Sequence, residues 1–247
     1  MLDGKNVIVT GSSRGIGRAI ALDLAANGAN VVVNCRSRVD LGNEVVAAIK
    51  EMGPRGLVVK SDISTEDGAR HVVEACVGSF GAVDALVNNA GVIHHQPIEA
   101  LDSGMLSETM AIDLLSCFYM CKHAVAGMIE SGRGGTIVNV SSIIGMIGMA
   151  GATAYAAAKG GVNGFTTCLA REVARHGIRV NGVAPGYVET ELIADWPREH
   201  FDKVLPRIPM RRFADPAEVA QVVTFLIGSG TYITGQTIVV DGGIMVD

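Results

Sequence analysis

The stretch Asn6-Val7-Ile8-Val9-Thr10-Gly11-Ser12-Ser13-Arg14-Gly15-Ile16-Gly17 decides how the rest of the chain is read. Val7-Ile8-Val9 is an unbroken β-branched run, the mark of a strand buried on both faces. The chain then turns through three glycines and enters a helical pattern over 15–28. A strand, a glycine turn and a helix together aim backbone N–H groups and a helix N-terminus at a diphosphate. The spacing is Gly-x3-Gly-x-Gly, not the Gly-x-Gly-x-x-Gly of the general dinucleotide fingerprint. The trio gains its weight from standing in the first strand–helix unit of an alternating chain.

That alternation continues to the C-terminus. Apolar runs at 6–10, 30–35, 56–60, 85–88, 136–141, 179–184 and 237–240 are separated by helical patterns at 15–28, 40–52, 65–79, 103–131, 152–176 and 215–227. The runs are apolar throughout, so both faces of each strand are expected to be covered. Right-handed crossovers then place helices on both sides of the sheet. The prediction is α/β: one Rossmann-type domain over 1–247, a doubly wound seven-stranded parallel sheet. Its ligand belongs at the carboxyl ends of the strands, where the strand order reverses.

Composition fits this and excludes other classes. Hydrophobic residues make up 49% of 247, enough for a large core, and 31 glycines suit tight helix–sheet packing. The net charge is −5 with scattered basic residues, so no nucleic-acid surface is expected. The start runs into a strand without a leader pattern, and the apolar stretch 143–158 is broken by glycines, so no membrane partner is expected. Five cysteines stand singly, without metal-ligand spacing. Reduced thiols, a cytoplasmic location and no metal are the expectation; Cys117 and Cys121 read as packing residues. Segments 103–131 and 152–176 are apolar on several faces, which implies subunit contacts or, alternatively, a thick internal core.

The second strand ends in Asn34-Cys35-Arg36. A carboxylate here would hold a ribose 2′-hydroxyl, whereas a guanidinium grips a 2′-phosphate. Arg36 therefore points to NADP(H), with Arg14 in reach of the same phosphate; the alternative is that both arginines are solvated surface groups. Asp62, after the third strand, is placed to accept from an adenine amino group or to serve as a turn residue.

Tyr155 and Lys159 lie four apart on a helical pattern and share a face. A phenol ionises near pH 10, too high for efficient acid–base work at neutral pH. An ammonium about 4 Å away in an effective dielectric near 20 favours the phenolate by roughly 4 kcal/mol, a lowering of its pKa by about three. Ser142 ends the apolar run 136–141, so its hydroxyl reaches the functional edge of the sheet. Ser141 should point the other way.

With these residues in place, the chain resembles the classical short-chain dehydrogenase/reductase family over its whole length. The matching features are Thr10-Gly11-x3-Gly15-x-Gly17, Asn88-Asn89-Ala90-Gly91, Ser142, Tyr155-x3-Lys159 and Pro185-Gly186. Ile233-Thr234-Gly235-Gln236-Thr237 and Asp241-Gly242-Gly243 look like the 3-oxoacyl-carrier-protein reductase and glucose dehydrogenase branch. The resemblance implies catalysis by Ser142, Tyr155 and Lys159. It implies cofactor contacts from Gly11, Ser13, Arg14, Gly15, Ile16, Gly17, Arg36, Asp62, Ile63, Asn88, Ala90, Gly91, Tyr155, Lys159, Pro185, Gly186, Val188 and Thr190. Asn88 would brace the sheet, and Ile16, Val188 and Thr190 would line the nicotinamide. The family is commonly tetrameric, so a homotetramer is expected. The one departure is Asp113, which stands where the family's fourth catalytic residue is Asn.

Segment 187–214 resembles the family's substrate lid. Substrate contacts are expected from Ser142, His94, Met149, Tyr187 and Trp196, with His94 and His95 otherwise read as solvated loop residues. Arg133 falls where the family docks a carrier protein; its usual second arginine falls on His176, next to Arg175. The favoured activity is reduction of a ketone, most fitting a 3-oxoacyl or related β-keto substrate, free or carried on acyl carrier protein. The alternatives are an NAD(P)-dependent dehydrogenase of a free sugar, alcohol or polyketide-like ketone, and a nucleotide-binding regulatory protein with impaired catalysis.

Overall fold

The structure, a computed structural model, describes residues 2–191 and 198–246. Seven strands form one sheet: β1 (Asn6–Val9), β2 (Asn30–Cys35), β3 (Gly56–Lys60), β4 (Ala85–Asn88), β5 (Gly135–Val140), β6 (Ile178–Pro185) and β7 (Thr237–Val240). Their order is β3-β2-β1-β4-β5-β6-β7, and every pairing is parallel. The order reverses between β1 and β4, which puts the crevice at the carboxyl ends of those two strands.

The two-residue period of a strand divides the core into two layers. Val7, Val9, Val31 and Val33 face one side, against α1 (Gly15–Ala26), α2 (Val39–Glu51) and a late helix, Pro216–Gly228. Ile8, Val32, Leu86 and Ile137 face the other, against α3 (Glu66–Phe80), α5 (Ser116–Ser131) and α7 (Thr153–Val173). The expectation of doubly buried strands holds at the sheet centre, where β1, β2 and β4 are buried at every residue, whereas the edge strands β3 and β7 are partly exposed.

The segment expected as one helix over 103–131 is three pieces: α4 (Ser103–Met110), a π-helical turn Ala111–Leu115, and α5. By length and composition it would pass for a membrane span, yet Met120, Cys121, Ala124 and Met128 pack into the sheet. The small residues that open α7 are spent partly within the chain. A Cβ on Gly161 would lie 3.0 Å from Leu114 of the π turn, and one on Gly145 would lie 2.6 Å from the Lys159 carbonyl carbon. The loop between β5 and α7 carries a short helix, α6 (Ile144–Ile147), and the chain beyond β6 carries α8 (Arg198–Val204) before α9 (Pro216–Gly228).

Candidate active site

The phosphate side of the crevice is made of backbone. Helix α1 starts at Gly15 with no side-chain cap and no acid in its first turn. By contrast, α3, α4 and α9 are capped by Thr65, Asp102 and Asp215. Uncapped N–H groups and the positive end of the helix dipole suit a diphosphate, so the residues present fit a dinucleotide.

The turn itself is held from beneath. Thr10 Oγ1 accepts the backbone N–H groups of Asn89 and Ala90 at 2.9 and 3.1 Å, and Asn89 Nδ2 donates to the carbonyls of Thr10 and Gly11 at 2.9 and 3.2 Å. Gly17 packs into this lattice: a Cβ there would sit 2.5 Å from the Gly11 carbonyl oxygen and would also strike the Asn89 amide. Thr190 lies against the turn, its Cγ2 3.7 Å from where a Gly15 Cβ would be. Ser13 and Val188 are buried, Val188 within the core layer shared with α1.

Both arginines of this end carry acidic partners. Arg36 Nη1 lies 3.3 Å from Glu108 Oε1, and Arg14 Nη1 lies 3.9 Å from Glu191 Oε2. Exposed Asp62 uses one oxygen to accept from the backbone and hydroxyl of Ser64 at 3.0 and 2.7 Å, while Ile63 beside it is buried. A groove of about 950 Å³ touches the turn at Ser13, Gly15 and Thr190 but reaches none of Ser142, Tyr155 and Lys159. The reactive centre is therefore located by its side-chain geometry.

At the other side, β5 delivers Ser142 and α7 delivers Tyr155 and Lys159. Ser142 is buried, and its Oγ accepts the Ile144 N–H at 3.2 Å. Its hydroxyl also acts on the Tyr155 phenol, in the sense that lowers the phenol's pKa. Ser141 turns its hydroxyl away, to the Lys159 carbonyl at 3.1 Å. Lys159 Nζ donates to the Val140 carbonyl at 3.1 Å and lies 3.1 Å from Asp113 Oδ1. The second Asp113 oxygen accepts the Val92 N–H at 3.1 Å. One oxygen of this carboxyl thus accepts a backbone N–H and the other lies in ion-pair range of the ammonium, which fits the ionised form. The chain crosses the pair at Gly91, where a Cβ would lie 2.6 Å from Asp113 Oδ1 and 3.3 Å from Lys159 Nζ.

Behind the pair runs a buried polar chain. Asn88 donates to Asn139 at 2.8 Å, Asn139 to Thr166 at 2.9 Å, and Thr166 to the Val162 carbonyl at 2.8 Å. It ties β4 and β5 to α7, and the Asn88 side-chain oxygen Oδ1 is left without a partner.

The electrostatics correct one expectation. Burial raises the Tyr155 pKa; Lys159 pulls it down, Asp113 pushes it up again, and the net result lies above the ordinary phenol value. The lysine acts in the expected sense, but its Nζ is 5.6 Å from the ring centroid and shares its charge with Asp113. Burial is the largest single influence on Lys159 and would depress its ammonium, but Asp113, with Tyr155 and Cys117 acting in the same sense, holds Lys159 above its usual range. Burial likewise pushes Asp113 up against the pull of Lys159 and the Val92 N–H. The two directions favour opposite charge states; the ammonium 3.1 Å from Oδ1 and the Val92 N–H on Oδ2 favour the ion pair.

Other expected residues lie at varied removes. Half-buried His94 pairs with Glu108, Nε2 to Oε2, at 3.2 Å, and His95 is exposed. Met149 is half-buried in the loop after α6. Tyr187 stacks on Phe213 with centroids 5.7 Å apart, in a satellite cluster with Val204 and Ile208. Pro185 is buried and Gly186 packs on Asp241. Trp196 lies outside the described residues. The segment 187–214 is clasped at its base: Ala214 donates to the Tyr187 carbonyl and Glu189 to the Ala214 carbonyl, both at 2.9 Å. Asn89, Glu108 and Glu191 were not singled out from sequence. Asn89 was visible inside a quoted motif; the two glutamates act on arginines far away in the chain.

Residues 11–245 match the family described as Enoyl-(Acyl carrier protein) reductase. The chain is 39% identical to the 3-oxoacyl-[acyl-carrier-protein] reductase of Vibrio cholerae over 98% of each chain. It is 38% identical to that of Thermotoga maritima over 99% of each. A short-chain type dehydrogenase/reductase from Mycobacterium marinum superposes with a TM-score of 0.95 at 31% identity, covering 100% of this chain and 97% of the other.

Proposed function

The chain belongs to the short-chain dehydrogenase/reductase family and is an oxidoreductase acting on a CH–OH/C=O pair, and on that premise we propose that it is an NADPH-dependent reductase of 3-oxoacyl or related β-keto substrates. The observation that carries this reading is the convergence of Ser142, Tyr155 and Lys159 beside an uncapped glycine turn, with Arg36 at the end of β2.

In this reading the glycine turn and the α1 N-terminus hold the diphosphate. Arg36, assisted by Arg14, holds a 2′-phosphate. When bound, the reduced nicotinamide supplies the hydride. Ser142 donates a hydrogen bond to the substrate carbonyl oxygen, and Tyr155 gives that oxygen its proton. Lys159 stabilises the resulting tyrosinate and is itself oriented by Asp113 and the Val140 carbonyl. Asp113 is a positioning residue, in keeping with its contact to Lys159 alone among these three. Thr190 and Val188 border the nicotinamide end, and segment 187–214 forms the lid over the substrate.

The exposed apolar residues Leu106, Leu115 and Phe118 along α4 and α5 support a homotetramer built on these helices. Five unpaired cysteines, four of them buried, support a reducing, cytoplasmic setting. A free small ketone is a second reading of the substrate. It is favoured by Arg133, which lies at the opposite end of β5 from Ser142 and faces Asp84 at 3.8 Å.

The test is turnover with NADPH and with NADH on a panel holding a 3-oxoacyl thioester, its carrier-linked form, simple ketones and sugars. Fastest reduction of the thioesters with NADPH is expected. Activity confined to sugars, or equal affinity for both cofactors, would overturn the reading.

A further inference from the structure

Helix α4 brings one carboxylate to the side of the crevice where the second strand ends. Glu108 spends its two oxygens on different partners: Oε1 is 3.3 Å from Arg36 Nη1, and Oε2 is 3.2 Å from His94 Nε2. Arg36 follows β2, whereas His94 and Glu108 belong to the chain that leaves β4. In the sheet, β2 and β4 stand on either side of β1. The Arg36–Glu108 pair therefore bridges the crevice at the carboxyl end of β1, beside the glycine turn.

We propose that Glu108 is a specificity-determining residue: it competes with the cofactor 2′-phosphate for Arg36 and so sets how strongly NADP(H) is preferred over NAD(H). The inference rests on the reading of Arg36 as the 2′-phosphate ligand. A guanidinium grips a carboxylate or a phosphate with the same planar donors, and Arg36 turns Nη1 of these to Glu108. Arg36 cannot serve both partners with the same donors. A phosphate seated on Arg36 also brings like charge close to Glu108. A dinucleotide with a free 2′-hydroxyl meets neither cost, so the penalty falls on NADP(H) alone. His94 gives the displaced carboxylate a partner on its second oxygen, so Glu108 is not stranded when Arg36 is taken. Both members of the pair are partly exposed, at 56% and 39% of their side-chain surface, so the effect is moderate and sensitive to salt.

The experiment measures dissociation constants of NADP+ and NAD+ by titration calorimetry for the wild type, Glu108→Gln, Arg36→Gln and the double variant, at low and high salt. Glu108→Gln is expected to tighten NADP+ by about two- to fivefold at low salt, the range of an exposed ion pair, and to leave NAD+ unchanged. The gain should vanish in the Arg36→Gln background and shrink at high salt. If Glu108→Gln moves both cofactors alike or neither, while Arg36→Gln still weakens NADP+ selectively, this inference is overturned and the reading of Arg36 survives. If Arg36→Gln leaves NADP+ binding unchanged, both fall together.

Discussion

Helices α1 and α7 both open onto the crevice, and they present it with different materials. α1 arrives with bare backbone: no capping side chain, no acid in the first turn, and glycines packed so closely that Asn89 and the Gly11 carbonyl leave no room for a Cβ at Gly17. α7 arrives with side chains. Tyr155 and Lys159 sit in its first two turns, and Lys159 is almost wholly buried against Asp113 and Val140. Backbone donors serve any diphosphate and are spoiled by added bulk. Buried ionisable side chains do one reaction and are spoiled by a change of charge or the loss of one oxygen. The two ends should therefore fail differently when altered.

The largest failure belongs to α7. Tyr155→Phe keeps the ring and removes the proton that reaches substrate, so turnover should fall by about 10²- to 10⁴-fold while cofactor affinity stays within about twofold. Steady-state kinetics beside a binding titration reads both, and near-wild-type turnover would end the assignment. At α1 the order reverses. Gly17→Ala should overpack the turn at a cost of about 1–3 kcal/mol, lowering the melting temperature and weakening cofactor binding more than it slows the bound complex. A variant that binds normally would show that the turn can shift to admit a methyl group.

A milder loss tests the lattice beneath the turn. Asn89→Ala removes two hydrogen bonds to Thr10 and Gly11, worth about 1–3 kcal/mol together. The melting temperature should drop by several degrees, and the pH profile should not move. The smallest effect is the reverse case, a change of charge without loss of shape. Asp113 adds to the forces that raise the Tyr155 pKa. Replacing it by Asn removes that push, so Tyr155 should ionise at lower pH. Alcohol oxidation needs the tyrosinate, so the acid-side limb, along which activity rises with pH, should move to lower pH in Asp113→Asn, with activity kept. An unmoved limb would show that Asp113 is neutral in the working enzyme. Abolished activity would show that its carboxylate is needed for more than holding Lys159.

Much of this contrast was legible beforehand. Buried strands such as 30–35 announce themselves because both faces are apolar, and the glycine turn is read from spacing alone. What escaped reading is non-local. The helical period across 103–131 gives no sign of the π turn at Ala111–Leu115, where Asp113 meets Lys159 and Leu114 packs on Gly161. The neighbour that lowers the Tyr155 pKa is written four residues away, but the burial that raises it is a property of the fold. Tyr187 is expected near substrate, but nothing in the sequence pairs its ring with Phe213, which lies across the whole length of segment 187–214. Arg36 reads from the sequence as a 2′-phosphate ligand or a solvated surface group, and its acidic neighbour, 72 positions on, is invisible there.

The clasp between Tyr187, Glu189 and Ala214 has a consequence for how such enzymes diversify. Its two hydrogen bonds bring the ends of the segment together before anything between them is specified. Because closing a loop costs only slowly more as it lengthens, the residues between the clasped ends can be exchanged or extended with little penalty to the sheet. The base of the segment is thus a socket for interchangeable parts: one scaffold, with its hydride and proton machinery left in place, can be refitted for a different molecule by swapping a single cassette.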